Sequence, residues 1–168
     1  MAQELETDSG TEDKNLQMVA FHLGDEEFGV DIMQVQEIIR MQEVTRIPQA
    51  PHFVKGVINI RGKIIVVVSL DKCLGLNSKE TDEHSRIIVV EVGGSVVGMV
   101  VDSVSEILSI PESSIEPAPD IIASKINADY LKGVGKLENR LLILLDLEKI
   151  LSEEQVNQIS QLSESQQT

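Results

Sequence analysis

Few residues in this 168-residue chain have the types and spacing that chemistry requires. Catalysis needs a nucleophile beside a base, paired carboxylates in a cleft, or a cluster of metal ligands. His22, His52 and His84 are scattered, none at a two-ligand spacing, and they read as solvated or half-buried side chains. Gly24-Asp-Glu-Glu27 is acidic enough to attract calcium. It lacks the alternating oxygen ligands and distal glutamate of an EF-hand, so it reads as a charged hairpin turn. Gly93-Gly94 and Gly133-Val-Gly135 do not sit in a phosphate-cradling pattern between strand and helix, and suit turns or bulges. Cys73 is the only cysteine, which excludes an intrachain disulfide or a multi-cysteine metal site and fits a reducing compartment. The expectation is a protein with no catalytic residues, no metal and no cofactor.

One constellation is more suggestive, Glu37 with Asn59-Ile-Arg-Gly62. An arginine at a hairpin turn can reach back across a small barrel, where a carboxylate would fix its planar head. The blander reading is a solvated turn cation, since exposed ion pairs contribute little stability.

Composition narrows the partners. With 28 Asp and Glu against 14 Lys and Arg, the net charge of -14 would repel a phosphate backbone and an anionic membrane surface, so no nucleic acid is expected. No apolar run approaches the ~20 residues of a membrane span, and direct membrane insertion is not expected. Residues 1–15 are acidic and carry no apolar stretch, the opposite of a secretory signal, which places the expected location in the cytoplasm. They read as a disordered acidic tail. Hydrophobic residues make up 42% but aromatics only 2%, so Val, Ile and Leu must fill the core, and a core rich in β-branched residues leans towards strands.

The elements that would position these residues are written twice. Phe21–Gly29 matches Val90–Gly98 at an offset of 69, and the match runs on through Val35, Glu37, Ile38 and Ile39 onto Val104, Glu106, Ile107 and Leu108. Phe53–Leu70 matches Tyr130–Leu147 at an offset of 77, so eight residues are inserted between the two stretches of the second copy. Each copy reads as strand, turn, strand, connection, a strand ending in Lys-Gly-Val, a tight turn and a strongly apolar strand, which suits a small barrel. Arg61-Gly-Lys63 and Glu138-Asn-Arg140 place Gly or Asn where positive φ is affordable. Ile64–Val68 and Leu141–Leu145 do not alternate, which requires both faces to be covered. Two barrels sharing an apolar seam would do this, the first over roughly 16–80 and the second over roughly 85–147, within a folded region of 16–151.

Two departures from the repeat stand out. Asp31–Met41 spaces Ile32, Val35 and Ile39 on one helical face behind a suitable N-cap, which predicts a short helix near 31–41 in the first copy only. Pro117-Ala-Pro119 and the residues to Asp129 hold the insertion and read as an exposed, extended loop. Leu147, Ile150, Leu151, Ile159 and Leu162 have helical spacing, predicting a C-terminal helix and polar end over 147–168.

Leu23–Ile39, Thr45-Arg-Ile-Pro48, Lys55–Gly62, Val97–Asp102 and Tyr130-Leu-Lys-Gly-Val134 resemble the CheW-like domain family over about Met18 to Leu151. Such domains also occur in the kinase CheA and in CheV; the length leaves no room for a kinase core or receiver domain, so a free-standing adaptor is expected. The resemblance implies a mainly β fold of two SH3-like, five-stranded barrels around a common hydrophobic seam. It also implies two partners, the cytoplasmic tip of a methyl-accepting chemoreceptor and the regulatory domain of CheA, met in receptor arrays at the inner membrane. Carried over by motif, receptor contact falls on Val35, Gly98, Val104 and Ile107, with Glu37 and Arg61 orienting that surface. Kinase contact falls on Thr45, Ile47 and Gly62 in the first barrel and on Ile115, Glu116, Asp120 and Ile121 in the second.

The competing hypothesis is a small-ligand-binding or hydrolytic double barrel. An enzyme should bring titratable groups together in the groove between barrels, whereas an adaptor should show an apolar strip with a polar rim. The groove positions named above are chiefly Val, Ile and Gly. Because Glu138 stands where Arg61 does in the other copy, Arg61→Glu is expected at this level to impair receptor coupling more than folding.

Overall fold

The computed structural model describes residues 14–77 and 79–151. The acidic segment before Lys14 and the C-terminal residues beyond Leu151, Ile159 and Leu162 included, lie outside the described residues. The strands are β1 (Asn15–Leu23), β2 (Glu26–Asp31), β3 (Val35–Arg40), β4 (Val54–Ile60), β5 (Lys63–Ser69), β6 (Arg86–Val92), β7 (Ser95–Val101), β8 (Ser103–Pro111), β9 (Ile115–Glu116), β10 (Leu131–Leu137) and β11 (Arg140–Leu145). One-turn helices α1 (Leu70–Cys73), α2 (Asp120–Ala123) and α3 (Leu147–Ile150) join or end them. Where a C-terminal helix is expected over 147–168, the described residues hold the single turn α3, which ends before its C-cap Leu151; Asp146 caps its start by accepting a hydrogen bond from the Lys149 amide.

The strands form two sheets, ordered β3-β6-β7-β5-β4 and β8-β1-β2-β11-β10-β9. These are the two SH3-like barrels, but they do not follow the halves at 16–80 and 85–147. Each sheet takes one hairpin from one copy and the remaining strands from the other. The hairpin β6–β7 joins the first copy's sheet through parallel pairing of Val97 with Val66, and β1–β2 joins the second copy's through Phe28 with Ile143. The two hairpins carry the same apolar pattern, so either would satisfy either sheet, and periodicity alone cannot say which does. The short 3₁₀ turn Ile32–Gln34 decides it for the first copy by leading the chain from β2 out of one sheet and into β3 of the other.

The repeat is kept in detail. Val35↔Val90 and Glu37↔Val89 in β3·β6 correspond to Val104↔Phe21 and Glu106↔Ala20 in β8·β1, with a register shift at the same place in both. This overturns the helix expected near 31–41. Asp31 does cap, accepting from the Met33 amide, but only three residues turn before Val35–Arg40 extends as a strand. A β-branched and isoleucine-rich segment that can pair with β6 gains a ladder that an isolated helical turn cannot match.

Burial shows why the apolar runs do not alternate. Val66, Val68, Ile143 and Leu145 face a large cluster between the sheets, joined by Phe21, Phe28, Ile88, Val90, Val97 and Met99. Ile65, Val67, Ile87 and Val89 face the interior of one barrel, and Met18, Ala20, Leu142 and Leu144 that of the other. Successive residues of β5 and β11 thus serve the seam and a barrel interior in turn. The stretch from Pro117 to Asp129 is not the extended loop expected: α2 buries Ile122, and Ile126 follows one turn later, both packed into the seam.

The Lys-Gly-Val motif has a backbone cause. Gly56 and Gly133 lie at the register shifts of β4 and β10 with φ of 151° and 141°. A Cβ on Gly56 would come within 2.2 Å of the Thr45 carbonyl oxygen, and one on Gly133 within 2.6 Å of that of Glu116. Gly56→Ala and Gly133→Ala are each expected to lower the unfolding free energy by about 3 kcal/mol or more, as backbone strain adds to overpacking. Gly24→Ala, where a Cβ meets nothing within 4 Å, should lose only about 1 kcal/mol for its positive φ. Urea unfolding of the three variants checks this, and equal losses would refute the close-approach explanation.

Candidate functional site

Arg61 and Glu37 meet as the sequence suggested, Nη2 to Oε2 at 2.5 Å. Glu37 sits on β3 and Arg61 in the β4–β5 turn, elements at opposite ends of their sheet's strand order, so the pair ties the two edges of the barrel together. The turn is strained to do it. Arg61 has φ of 51° and Gly62 of 87°, the pattern of a type I′ hairpin, and the Asn59 side chain accepts a hydrogen bond from the Gly62 amide at 2.9 Å. Glu138 and Asn139, in the equivalent turn, are not among the residues with positive φ. The two turns therefore differ in backbone, and the Glu at 138 is no guide to what position 61 tolerates. Arg61 is thus a non-glycine residue held in the left-handed region with its side chain 73% exposed.

The second barrel has its own tie, which the sequence reading missed. Arg140 reaches Glu106 at 2.7 Å and Glu27 at 3.2 Å, and the Ser105 hydroxyl donates to Glu27 at 2.8 Å. The hydrogen bond to Glu106 is the main reason the Arg140 guanidinium is held above its ordinary pKa; Glu27 adds to it. Glu106 is the repeat mate of Glu37, but its arginine comes from the position equivalent to Lys63, two residues past that of Arg61. The signal available in the sequence was the recurrence of Glu37 as Glu106, which asks for a cation in both copies.

The other receptor candidates fall into three environments. Val35 and Val104 are half-buried on β3 and β8, the edge strands of the two sheets, and both pack on the seam cluster. Ile107 is 58% exposed on the outer face of β8, and its mate Ile38, not singled out from sequence, is 37% exposed on β3. Gly98 is buried: a Cβ there would meet Ile87 at 2.8 Å and Val67 at 3.4 Å inside the barrel. Its place in the motif reflects strand packing, and it offers no contact surface.

The kinase candidates lie at the other end of the strand order. Thr45 makes an isolated bridge to Val57 on β4, and Glu116, on β9, pairs with Val134 on β10, so the two occupy equivalent places at the edges of their sheets. Ile47 is half-buried against the seam, Ile115 lines the interior of its barrel, and Ile121 is 70% exposed beside Asp120 on α2. Gly62 is at the hairpin tip next to Arg61, so it shares that tip with the receptor candidates.

The remaining titratable groups are placed singly. His22 lies 3.4 Å from the Ser103 hydroxyl, His52 packs edge-on against Phe53, and His84 is 3.9 Å from Glu83. Burial pushes the Cys73 thiol up to about 12, which keeps it protonated and unreactive. Among the described residues no group of three His, Cys, Asp or Glu could hold a metal, and no helix is long and apolar enough to cross a membrane.

Residues 17–155 match the family model of the CheW-like domain. The chain is 42% identical over 149 residues to the chemotaxis protein CheW of Klebsiella aerogenes, covering 89% of each chain. It is 34% identical to that of Thermotoga maritima, covering 83% of this chain and 90% of the relative. Its structure is similar to the crystal structure of the scaffolding protein TtCheW from Thermoanaerobacter tengcongensis, with a TM-score of 0.76, 35% identity, and coverage of 84% of this chain and 95% of that one.

The geometry at position 61 separates strain from pairing. Asn tolerates the left-handed region, so Arg61→Asn relieves the turn while losing an exposed ion pair of about 0–1 kcal/mol, and stability should change by less than about 1 kcal/mol. Thermal or urea unfolding checks it; a loss above about 2 kcal/mol would make the tie a structural requirement.

Proposed function

The chain belongs to the CheW-like family of chemotaxis scaffolds, which are not enzymes, and from that premise we propose that it physically couples the cytoplasmic tip of methyl-accepting chemoreceptors to the histidine kinase CheA. It works in the cytoplasm, within receptor arrays at the inner membrane. Its mechanism is differential binding: holding both partners at once, it sets their relative geometry. The observation that carries the reading is the surface itself. The edge strands β3 and β8 present half-buried Val35 and Val104 on the seam margin with exposed Ile38 and Ile107 outside, and the Arg61–Glu37 pair forms a polar rim two residues past Val35. An apolar strip with a charged rim suits the apolar face of a receptor helix. The competing enzyme or small-ligand reading has no such support, since the titratable groups beside this strip, Arg61 with Glu37 and Arg140 with Glu106 and Glu27, are bound to one another as ion pairs.

The kinase surface uses Thr45, Ile47 and Gly62 on one barrel and Ile115, Glu116, Asp120 and Ile121 on the other. Thr45 bridges to β4 and Glu116 lies on β9 beside β10, at the ends of the strand orders away from β3 and β8. A partner that is itself a CheW-like fold can meet these equivalent ends in turn, a heterologous contact that closes into rings when the rotation allows.

Val35→Asp should abolish receptor binding with CheA binding retained. Because Val35 packs on the seam, that variant also loads the fold, so Ile107→Asp, at a 58% exposed site, is the cleaner partner. It should weaken receptor binding at least tenfold while shifting stability by about 0.5 kcal/mol or less, as surface changes do. Arg61→Asn should likewise weaken receptor coupling. Titration of each folded variant against receptor-bearing membranes and against CheA decides: equal weakening of both partners, or of neither, means the receptor surface has been misplaced.

A further inference from the structure

On a chain of net charge -14, one groove is cationic. It is open, about 800 Å³ in volume, and lies between the segment Met41–Lys55 and α1. Arg46, Lys55 and Lys72 line it together with His52, and no carboxylate does. All four are exposed, and among the described residues none of the three Lys and Arg side chains is paired with a carboxylate. The recess adjoining it, where Lys55 and Lys72 also meet Asp71, Glu80 and Asp102, mixes signs, as does the one where Asp31 and Glu112 stand with Lys132, so Arg46 and His52 are the cationic groups the groove does not share. Pro48 and Pro51 stiffen the wall between the cations, and Gln49 is held at φ of 63°, the second non-glycine residue in the left-handed region.

The repeat shows that this charge is not needed for the fold. Lys55 and Lys72 recur as Lys132 and Lys149, but the position of Arg46 is taken by Pro117 and that of His52 by Asp129. The same scaffold is built without the extra cations, so their gathering in the first copy calls for an anionic occupant.

We propose that the groove docks this chain's own acidic N-terminal segment, residues 1–13. That segment carries Glu4, Glu6, Asp8, Glu12 and Asp13 and no Lys or Arg, the sign and density that the groove lacks. It joins the fold at Lys14, whose carbonyl accepts from the Glu112 amide at 2.8 Å, on the other barrel. Thirteen extended residues span about 43 Å, so the segment reaches a groove lying within that surface path of Lys14, short of the opposite pole of a body about 37 Å across, which lies about 58 Å away over the surface. Electrostatic capture of this kind holds at low ionic strength and is screened by salt. The docked segment covers Ile47, so it shields the kinase surface proposed above; only this consequence rests on that reading.

The test uses the full chain with Ser9→Cys carrying a nitroxide. Cys73 stays in place because its thiol, raised to about 12, resists labelling, and the chain without Ser9→Cys, treated alike, is the control. At about 20 mM salt the amide signals of Arg46, Gln49 and Lys72 should lose about half their intensity or more, and regain it near 1 M, where the Debye length is ~3 Å. The exposed double change Arg46→Glu with Lys72→Glu should abolish the broadening while leaving the other amide signals in place. Broadening that is absent, spread evenly, or kept in the charge-reversed variant overturns the proposal. Broadening seen only when a labelled chain is mixed with a separate isotope-enriched chain overturns docking within one chain. Removal of residues 1–13 should then raise CheA affinity at low salt; no change would remove the shielding consequence and leave the docking intact.

Discussion

Everything in this fold depends on strands that are apolar on both faces. β5 and β11 cannot lie on any surface, because Val66 and Val68 point one way while Ile65 and Val67 point the other, and the same holds for Ile143 and Leu145 against Leu142 and Leu144. Each must have a barrel interior behind it and a second sheet in front. The seam supplies the second sheet. With three Phe and one Tyr in the whole chain, the seam is filled mainly by branched aliphatics, whose few rotamers favour one close-packed arrangement. The parallel pairs β5·β7 and β11·β2 then follow, since each doubly buried strand takes as neighbour a hairpin strand from the other copy.

The duplication, the need to cover both faces, the hairpin turns, the cap at Asp31 and the meeting of Arg61 with Glu37 were legible because each rests on a local period or a short offset. The exchange of hairpins was not, because repeat-equivalent strands have interchangeable patterns and the choice lies in a three-residue turn. The helix expected near 31–41 failed where Ile32, Val35 and Ile39 fit a helical face. Val35 faces the seam and Ile39 a barrel interior, and the register shift between Val35 and Glu37 moves the strand from one to the other. A bulge inserts one residue into a period of two, and that reads as a longer period. Gly98 was mistaken for surface because a motif glycine looks alike whether it meets a partner or a neighbouring Ile87. Arg140 was missed because its repeat mate is a lysine.

A nearly symmetric scaffold makes its asymmetries informative. Closing each barrel brings a cation against Glu37 or Glu106, and Arg140 does this from a strand, whereas Arg61 does it from a turn residue of positive φ with its side chain 73% exposed. Folding alone would favour the unstrained solution twice. That the strained one exists in one copy, beside the exposed edge of β3, separates what the scaffold requires from what has been added to it. The same comparison separates His52 from Asp129 and Arg46 from Pro117.

The interlock also constrains how such a molecule can act between two partners. Val35 and Val104 on one side and Ile47 on the other all rest on the one seam cluster, and each sheet contains strands of both copies. Opening either barrel breaks ladders in which both copies take part, so the copies cannot part as independent hinged bodies. Residues proposed for the two surfaces, Val35 and Val104 on one side and Ile47 on the other, therefore rest on one continuous core that both copies build.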